Sequence, residues 1–544
     1  MSSRRLSRRG FLGASLAAGA GLLGGRSGVA GGGSGLWTPS DGAPAVVPSQ
    51  KLRPLLPSGV QSGDVTSGRG VVWSRTDRPG RMWVEWATDD RFADARTVRG
   101  PAALEEGAFT AAVDLRGLPA GEQIVYRVRF ESLAHPGTFS EPAEGRFRTP
   151  PPVGAAPTRR VRLAWGGDVV GQGWGIDERR GGMRIFDAIR RTEPDVFVHS
   201  GDIVYADQPL EAEVPLDDGT VWRNLVTEAK SKVAETLDEF RGNFAYNLLD
   251  ANARAFHASV PLVAQWDDHE VVNNWFPGLQ LDRDDRYAVK SASLLAARAR
   301  QALFEFVPLR RSPGDPERIY RRFAHGPLVE VFVLDLRSYR GPNTPNRQAS
   351  QGPGTVMMGE AQMAWLEDAL RSSRAAWKVI ACDMPIGLVV PDFPRDGERT
   401  YEAWANAREG APLGRELELA GLLSFMKREG IRDTVWITAD VHYAAAHHYS
   451  PERASFTDFD PFWELVGGPM HAGTFGPNAL DPTFGPEVVF SSVGDGVEPN
   501  RPPSAGLQFF GTLDVDPSTR VLTAAIRDVE GRTLWSRDIP PAGG

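Results

Sequence analysis

Acidic and histidine side chains recur directly after apolar, strand-like runs of this sequence. The residues concerned are Asp168, Asp202 with Tyr205, the run 267–270, Asp335 with Arg337, and Asp440 with His442. The carboxyl ends of strands in an open α/β sheet are where ligand sites form. Carboxylates gathered at one edge drive each other's pKa upward unless cations neutralise them. The pattern therefore predicts a site that holds more than one metal ion.

The composition narrows the chemistry that such a site can use. The chain has 544 residues, with 61 basic and 69 acidic side chains, nine His and a single Cys. One Cys excludes an internal disulfide and any Cys-rich metal cluster. The net charge of −8 lacks the basic footprint of a nucleic-acid binder, so no nucleic-acid-specific binding is expected. Plentiful carboxylates and few His favour an oxygen-rich site for hard cations.

The motifs differ in how strongly each one points to a site. A lone Gly-Asp after a strand is usually a turn or a helix cap. The run 267–270 (Asp-Asp-His-Glu), in contrast, sets four ionisable side chains next to an apolar strand, and Asp440 and His442 share one face of an extended segment. Three other candidates are interpreted structurally: His199 as a hydrogen-bonded core residue, His447-His448 as exposed, and Cys382 as a small buried hydrophobe.

Secondary-structure patterns change at a Pro-rich boundary at 150–154. Before it, short β-type runs between 56 and 150 predict a small β-sandwich. After it, apolar runs predict strands at 161–165, 196–199, 328–334, 379–381 and 435–438, and again at 488–491, 508–514 and 521–526. Spacing of the helical type predicts helices over 183–191, 226–250, 285–306, 359–373 and 414–428. The fold class is therefore α+β/α/β, with a charged, loop-like insert at 207–225.

The first 30 residues resemble a bacterial twin-arginine signal peptide. They contain five Arg and no acid, with Arg8-Arg9 before Gly-Phe-Leu and a short apolar run. That run is shorter than the roughly 20 residues of a membrane span, so no stable span is expected. We predict export by the twin-arginine machinery to the periplasm or the exterior. The Gly/Ser/Pro-rich residues 31–55 are interpreted as a linker.

Three motifs together resemble the PhoD-like alkaline phosphatase family, a branch of the calcineurin-like metallophosphoesterases. They are 201–207 (Gly-Asp-Ile-Val-Tyr-Ala-Asp), 266–275 (Trp-Asp-Asp-His-Glu-Val-Val-Asn-Asn-Trp) and 440–442 (Asp-Val-His). They come in the family's order, and the resemblance extends over about 56–530. It implies a β-sandwich domain at 56–150, a metallophosphoesterase β-sandwich flanked by helices at 155–530, and a C-terminal tail at 531–544.

The resemblance also implies roles for individual residues. Metal ligands would be Asp168, Asp202, Tyr205, Asp268, Asp440 and His442. His269 would be the catalytic His, Arg337 would act in catalysis as a phosphate clamp, and Asn274 with Arg337 would bind substrate. The cofactors implied are two or more hard cations, calcium and ferric iron. The family's Cys iron ligand after the first motif has no counterpart in 168–175, so an all-calcium or a mixed site is an alternative.

The predicted function is metal-dependent hydrolysis of small phosphate esters outside the cytoplasm, in which a metal-activated water attacks phosphorus. One alternative is a phosphodiesterase or a phospholipase-D-like activity at the same site. An alternative of another class is an envelope-binding protein that uses its β domain and carries a decayed metal site.

Overall fold

The structure is a computed structural model that describes residues 49–395 and 397–542. The predicted signal peptide at 1–30 and the linker residues 31–48 lie outside the described residues. In the described ranges, the structure contains no helix long and apolar enough to cross a lipid bilayer.

The N-terminal part consists of seven strands in two sheets that share an apolar core. Strands β1-β2-β5 form one end of a nine-stranded sheet, and the other four form a sheet of the order β4-β3-β6-β7. The strands are β1 (Val60–Thr66), β2 (Arg69–Arg75), β3 (Gly80–Ala87), β4 (Arg96–Ala103), β5 (Thr110–Arg116), β6 (Gln123–Ser132) and β7 (Ala143–Arg148).

The remaining strands complete two large mixed sheets and two separate hairpins. They are β8 (Val161–Gly166), β9 (Val196–Ser200), β10 (Glu213–Pro215), β11 (Val221–Arg223), β12 (Leu262–Gln265), β13 (Arg321–His325), β14 (Val329–Val333), β15 (Trp377–Ala381), β16 (Pro391–Arg395), β17 (Glu398–Tyr401), β18 (Thr434–Thr438), β19 (Ala445–Tyr449), β20 (Phe462–Val466), β21 (Pro486–Ser491), β22 (Phe509–Val515), β23 (Leu522–Asp528) and β24 (Thr533–Ile539). The nine-stranded sheet has the order β24-β23-β22-β8-β9-β12-β1-β2-β5, and the seven-stranded sheet β13-β14-β15-β18-β20-β19-β21.

Helices cover both outer faces of these two sheets. They are α1 (Arg184–Arg191), α2 (Leu237–Asn247), α3 (Ala251–Ser259), α4 (Ala292–Phe306), α5 (Glu360–Ser372) and α6 (Glu416–Arg428). Residues of α1 to α4 share a core with the nine-stranded sheet, and residues of α5 and α6 share one with the seven-stranded sheet. A third core joins the inner faces of the two sheets. Because both faces of the central strands are buried, these strands are continuous apolar runs.

Parallel pairing places the carboxyl ends of neighbouring strands on one side of each sheet. Strands β8, β9 and β12 pair in parallel in one sheet, and β14, β15 and β18 do so in the other. Their carboxyl ends therefore open toward the same region, and the acidic motifs follow directly after them.

The N-terminal strands are joined to the nine-stranded sheet at a glycine. Gly63 of β1 pairs in parallel with Leu262 of β12. A Cβ on Gly63 would lie 2.7 Å from the carbonyl oxygens of Leu262 and Pro308, so only glycine allows this approach. The buried Asp64 adds an ion pair, 2.9 Å from Arg321 of β13.

Most predicted elements appear within a few residues of their expected bounds, and the differences have local causes. The helix predicted over 226–250 begins only at Leu237, because Thr236 and Glu239 form a capping box there. Asp250 then caps a separate helix, α3. The insert at 207–225 carries the hairpin β10-β11, and the region of the predicted C-terminal tail contributes β24 to the nine-stranded sheet.

Candidate metal centre

The six predicted metal ligands come together at the carboxyl ends of β8, β9, β12 and β18. Asp168 follows β8, Asp202 follows β9, and Asp440 follows β18 with His442. These four residues have left-handed backbone, with φ between +49° and +71°. Such conformations are costly for non-glycine residues and cluster at functional sites. The chain therefore turns sharply after each strand and directs these side chains into one cluster.

The first group of donor atoms belongs to Asp168, Asp202 and His442, whose ligand atoms lie within 4.8 Å of one another. His442 Nδ1 lies 2.6 Å from the carbonyl oxygen of Gly473 and donates to it. The proton is thereby assigned to Nδ1, and the lone pair of Nε2 faces the cluster. Burial lowers the pKa of His442 to about 4, so its imidazole is neutral and suited to bind a metal.

Tyr205 lies between the two histidines of the cluster. Its hydroxyl is 2.7 Å from His442 Nε2, and its ring stacks on His269 with 4.2 Å between ring centroids. The side chain is fully buried, and burial raises its pKa well above the usual value. A Cβ on Gly171 would lie 2.6 Å from the Tyr205 ring, so this glycine lets the loop after β8 cover the tyrosine.

The second group of donor atoms combines Asp202 and Asp268 with His269. The backbone NH of His269 donates to Asp202 Oδ1 at 3.1 Å. Its Nδ1 lies 2.7 Å from Asp207 Oδ1, and its Nε2 lies 4.0 Å from Asp268 Oδ1. Asp207 thus fixes the orientation of the ring, and Nε2 is the ring nitrogen that remains on the side of the cluster.

The third group contains Asp267, Asp268 and Asp440. Asp268 therefore belongs to two groups, as Asp202 does, and the three groups form one continuous chain of donors. Asp268 is held by the backbone NH of Asn274, which donates to its Oδ2 at 2.5 Å.

The electrostatics of the cluster fit a set of cations. Burial raises the pKa of Asp168 to about 8, and it raises the pKa of Asp202 and of Asp440 well above the usual range. Both carboxylate oxygens of Asp168 and Oδ1 of Asp268 are buried without a hydrogen-bond partner. Buried carboxylates in native proteins have partners. Oxygen donors with one or two imidazoles are a ligand set that hard cations take, so the residues fit more than one metal ion.

Arg337 lies inside the protein rather than at an open cleft. Its side chain is 0% exposed, and its guanidinium is engaged by Asp267 Oδ1 at 2.6 Å from Nε and by Glu402 Oε2 at 2.7 Å from Nη1. The role of Arg337 as a phosphate clamp stays a prediction; the structure places its guanidinium among carboxylates in the interior.

Asn274, the other predicted substrate-binding residue, is half-buried beside the cluster. Its Nδ2 donates to Asp392 Oδ1 at 3.0 Å, on the hairpin β16-β17. The side chain of Asn274 is thus directed to this hairpin, while its backbone holds Asp268.

Several residues of the centre carried no assigned role in the sequence. Asp207 orients His269, and Asp267 belongs to the third donor group. Glu270 accepts from the backbone NH groups of Ile203 at 2.5 Å and of Asp267 at 2.8 Å, which ties the loop after β9 to the loop after β12. All three acids stood inside the two motifs, and their position there was the available signal.

The remaining sequence candidates lie outside the donor groups. His447 is buried against Glu464 at 3.0 Å, so the expectation that it is exposed is wrong. His199 is a buried core residue as expected, and its ring packs edge-on against Phe197. Cys382 is fully buried, and its Sγ lies 3.3 Å from the carbonyl oxygen of Met384.

Comparison with known proteins shows the family of the chain. The family model described as PhoD-like phosphatase matches residues 163–526, and the model of the PhoD-like phosphatase N-terminal domain matches residues 42–151. Alkaline phosphatase D of Bacillus subtilis (strain 168) is 29% identical over 439 residues, which cover 76% of this chain and 69% of that protein.

Two solved structures share the fold. A structure of PhoD superposes with a TM-score of 0.67 at 22% identity, covering 91% of this chain and 95% of that one. Purple acid phosphatase PPD1 from yellow lupin (Lupinus luteus) seeds superposes with a TM-score of 0.54 at 12% identity, covering 90% and 74%.

The fold, the donor groups and the sequence relatives together define a metal-dependent phosphoesterase, a hydrolase of phosphoric esters. Within that class, the chain belongs to the PhoD-like phosphatase family.

Proposed function

We propose that this protein is an exported alkaline phosphatase of the D type that releases phosphate from small phosphate esters. The observation that carries the proposal is the continuous set of three donor groups, whose buried carboxylate oxygens have no partner in the protein. A dianionic phosphate cannot approach so many carboxylates unless several cations offset their charge. The same cations would then attract the ester.

Two of the donor groups suggest how the cations are shared. Asp168, Asp202 and His442 would hold one cation, with the Tyr205 hydroxyl close enough to His442 to join them. Asp202 and Asp268, which each belong to two donor groups, would also help to hold further cations. A phenol ligand favours ferric iron and a carboxylate-rich group favours calcium, so we propose a mixed set. Bound cations would neutralise phosphoryl oxygens and make water a stronger nucleophile.

His269 is the proposed catalytic residue. Asp207 holds its Nδ1 at 2.7 Å, which fixes the ring and leaves Nε2 on the side of Asp268. An imidazole oriented in this way can donate a proton to the leaving oxygen of the ester. The stacked ring of Tyr205 restricts its rotation. Asp207, His269 and Tyr205 thus form one oriented unit.

The test is metal removal followed by turnover of two ester classes. We expect chelation to abolish hydrolysis of a phosphate monoester such as p-nitrophenyl phosphate. Calcium and ferric iron together should restore it better than either ion alone. Bis-p-nitrophenyl phosphate measures the alternative, a phosphodiesterase at the same site. Equal turnover before and after chelation would contradict the proposal, and faster turnover of the diester would favour the alternative.

Export and domain division remain proposals that rest on the sequence. We propose that residues 1–30 direct twin-arginine export, that 56–150 form an N-terminal domain and that 155–530 form the catalytic domain. Replacing Arg8 and Arg9 by Lys should retain the protein in the cytoplasm, as measured by activity in cell fractions. Unchanged export would exclude the twin-arginine route.

A further inference from the structure

The guanidinium of Arg337 is surrounded by carboxylates from four parts of the chain. Nε and Nη2 both contact Asp267 Oδ1, and Nη1 contacts Glu402 Oε2 at 2.7 Å. Asp383 Oδ2 lies 3.3 Å from Nε, and Asp440 Oδ1 lies 3.6 Å from Nη2. The side chains of Arg337, Asp267, Asp383 and Glu402 are at most 2% exposed.

Hydrogen bonds alone do not satisfy the carboxylates around the guanidinium of Arg337. Both oxygens of Asp383 and Oδ2 of Asp267 are buried without a hydrogen-bond partner. Arg340 also lies near Glu402, at 4.0 Å, but it is directed mainly to Asn343 and to the carbonyl oxygen of Glu402. A buried carboxylate needs a positive charge or a proton nearby. Arg337 is the cation that touches all four carboxylates.

The position of Arg337 also connects it to the metal centre. Asp267 and Asp440 belong to the third donor group, and Arg337 contacts both. Asp383 follows β15, the neighbour of β18, and its backbone carbonyl accepts from the NH of Ala439. Arg337 therefore faces the centre from the side of the protein interior, and substrate would have to approach from elsewhere.

We propose that Arg337 is a built-in cation of this centre. Its guanidinium occupies a position that a further metal ion would otherwise take, and it positions Asp267 and Asp440 for the metals on their other side. It is a positioning residue and does not contact phosphate. This inference rests on the proposed metal-dependent function of the same site.

If Arg337 acts as a built-in cation, its removal should change the metal content of the protein. Arg337→Ala would leave a small buried space lined by Asp267, Asp383, Glu402 and Asp440. Four carboxylates around such a space form a site for a hard divalent cation. We expect this variant to bind one additional calcium ion per chain and to depend on calcium for its stability.

The experiment compares four proteins: the parent, Arg337→Ala, the double variant Arg337→Ala/Glu402→Gln, and Arg371→Ala. Arg371 is a matched control, because it is half-exposed and pairs with Asp368 at 2.7 Å on the surface of α5. Bound calcium is counted by elemental analysis after equilibration with the ion. Thermal unfolding is recorded in chelator and in calcium.

We expect Arg337→Ala to unfold about 10 °C below the parent in chelator and to recover in calcium. The double variant should regain part of the loss in chelator, because Glu402→Gln removes one uncompensated charge. Arg371→Ala should match the parent in both conditions.

Two results would overturn the inference. One is an Arg337→Ala protein with the parent's calcium content and unfolding temperature but a raised KM and an unchanged kcat, which would make Arg337 a phosphate ligand. The other is a double variant no more stable than Arg337→Ala, which would make the role one of packing. If Arg337→Ala yields no folded protein, the double variant decides: its folding supports the inference and its failure to fold rejects it. Failure of the parent to hydrolyse either ester would reject the proposed function. The calcium content and the unfolding temperatures would still test the role of Arg337.

Discussion

At the scale of single residues, the centre is organised by neighbouring groups that fix the direction of its histidine side chains. Gly473 and Asp207 each engage Nδ1 of one histidine, so that Nε2 of both His442 and His269 faces the cluster. Asp207 Oδ2 accepts a hydrogen bond from the backbone NH of Asn273 at 2.9 Å, and this bond holds the carboxylate in place. Such outer partners tune ligand orientation and basicity.

Replacing Asp207 tests this orientation. We expect Asp207→Asn to lower kcat about 10–100-fold with little change in KM or bound metal, because the ring of His269 would lose its fixed direction. Steady-state kinetics with elemental analysis measure both quantities. Asp368→Asn, at an exposed position of α5, is the control. A loss of metal in parallel with kcat would instead show that Asp207 supports the ligands as a whole.

Replacing His269 tests whether this residue acts in catalysis or in metal binding. We expect His269→Ala to abolish turnover and to leave the metal content largely intact, since His269 acts on the leaving group. Turnover and bound metal are measured on the same preparation. An equal loss of metal would reassign His269 as a ligand, a role that its place in the second donor group would also allow.

At the scale of elements, the site depends on sharp turns after the strands. Asp168, Asp202, Asp440 and His442 adopt left-handed backbone, and glycines make room beside them. Gly468 has φ +131°, and a Cβ there would lie 2.2 Å from Asp168 Oδ2. The loop after β20 thus closes against the first ligand only because residue 468 has no side chain.

The substitution Gly468→Ala should disturb this closure. The added methyl would displace Asp168, and the backbone strain alone costs about 1–3 kcal/mol. We expect a lower unfolding temperature and a loss of bound metal, measured by calorimetry and elemental analysis. Gly494→Ala is the matched control, because nothing lies within 4 Å of its Cβ position. A metal content equal to that of the parent would show that the loop can move without affecting Asp168.

At the scale of the whole molecule, two sheets pack face to face and present their carboxyl ends together, while helices bury the outer faces. The packing also surrounds histidines that the centre does not use, and two of them, His199 and His325, are buried. Burial lowers the pKa of His199 to about 3 and those of His257 and His325 to about 4, below the usual value of about 6.5.

These histidines predict a loss of stability in acid. Below about pH 6.5 the unfolded chain binds protons that the folded chain excludes, so the free energy of unfolding falls as the pH decreases toward about 3. We expect His199→Leu to lose less stability than the parent between pH 7.5 and pH 5, as measured by urea unfolding at each pH. His135→Leu, at an exposed position, is the control. Identical pH dependence in all three proteins would exclude His199 as a contributor.

The sequence by itself determined the positions of the acidic motifs at strand ends, because apolar runs and turn signals are local patterns. It also predicted that these motifs meet, since the carboxyl ends of parallel strands share an edge. The placement of Asp168, Asp202, Asp268, Asp440 and His442 in overlapping donor groups follows from that rule. The family followed from the order and content of the same motifs.

Only the tertiary structure decided which side each charged group faces. Arg337 stands in a motif at a strand end just as Asp440 does, yet its guanidinium is turned inward and meets Glu402, which follows a hairpin that the sequence did not predict. His447 is likewise buried, because Glu464 of the neighbouring strand accepts a hydrogen bond from its Nδ1. Local patterns specify strands and turns. The charge that a given side chain meets across the fold depends on contacts between segments distant in the chain. These contacts exist only once the sheets have formed.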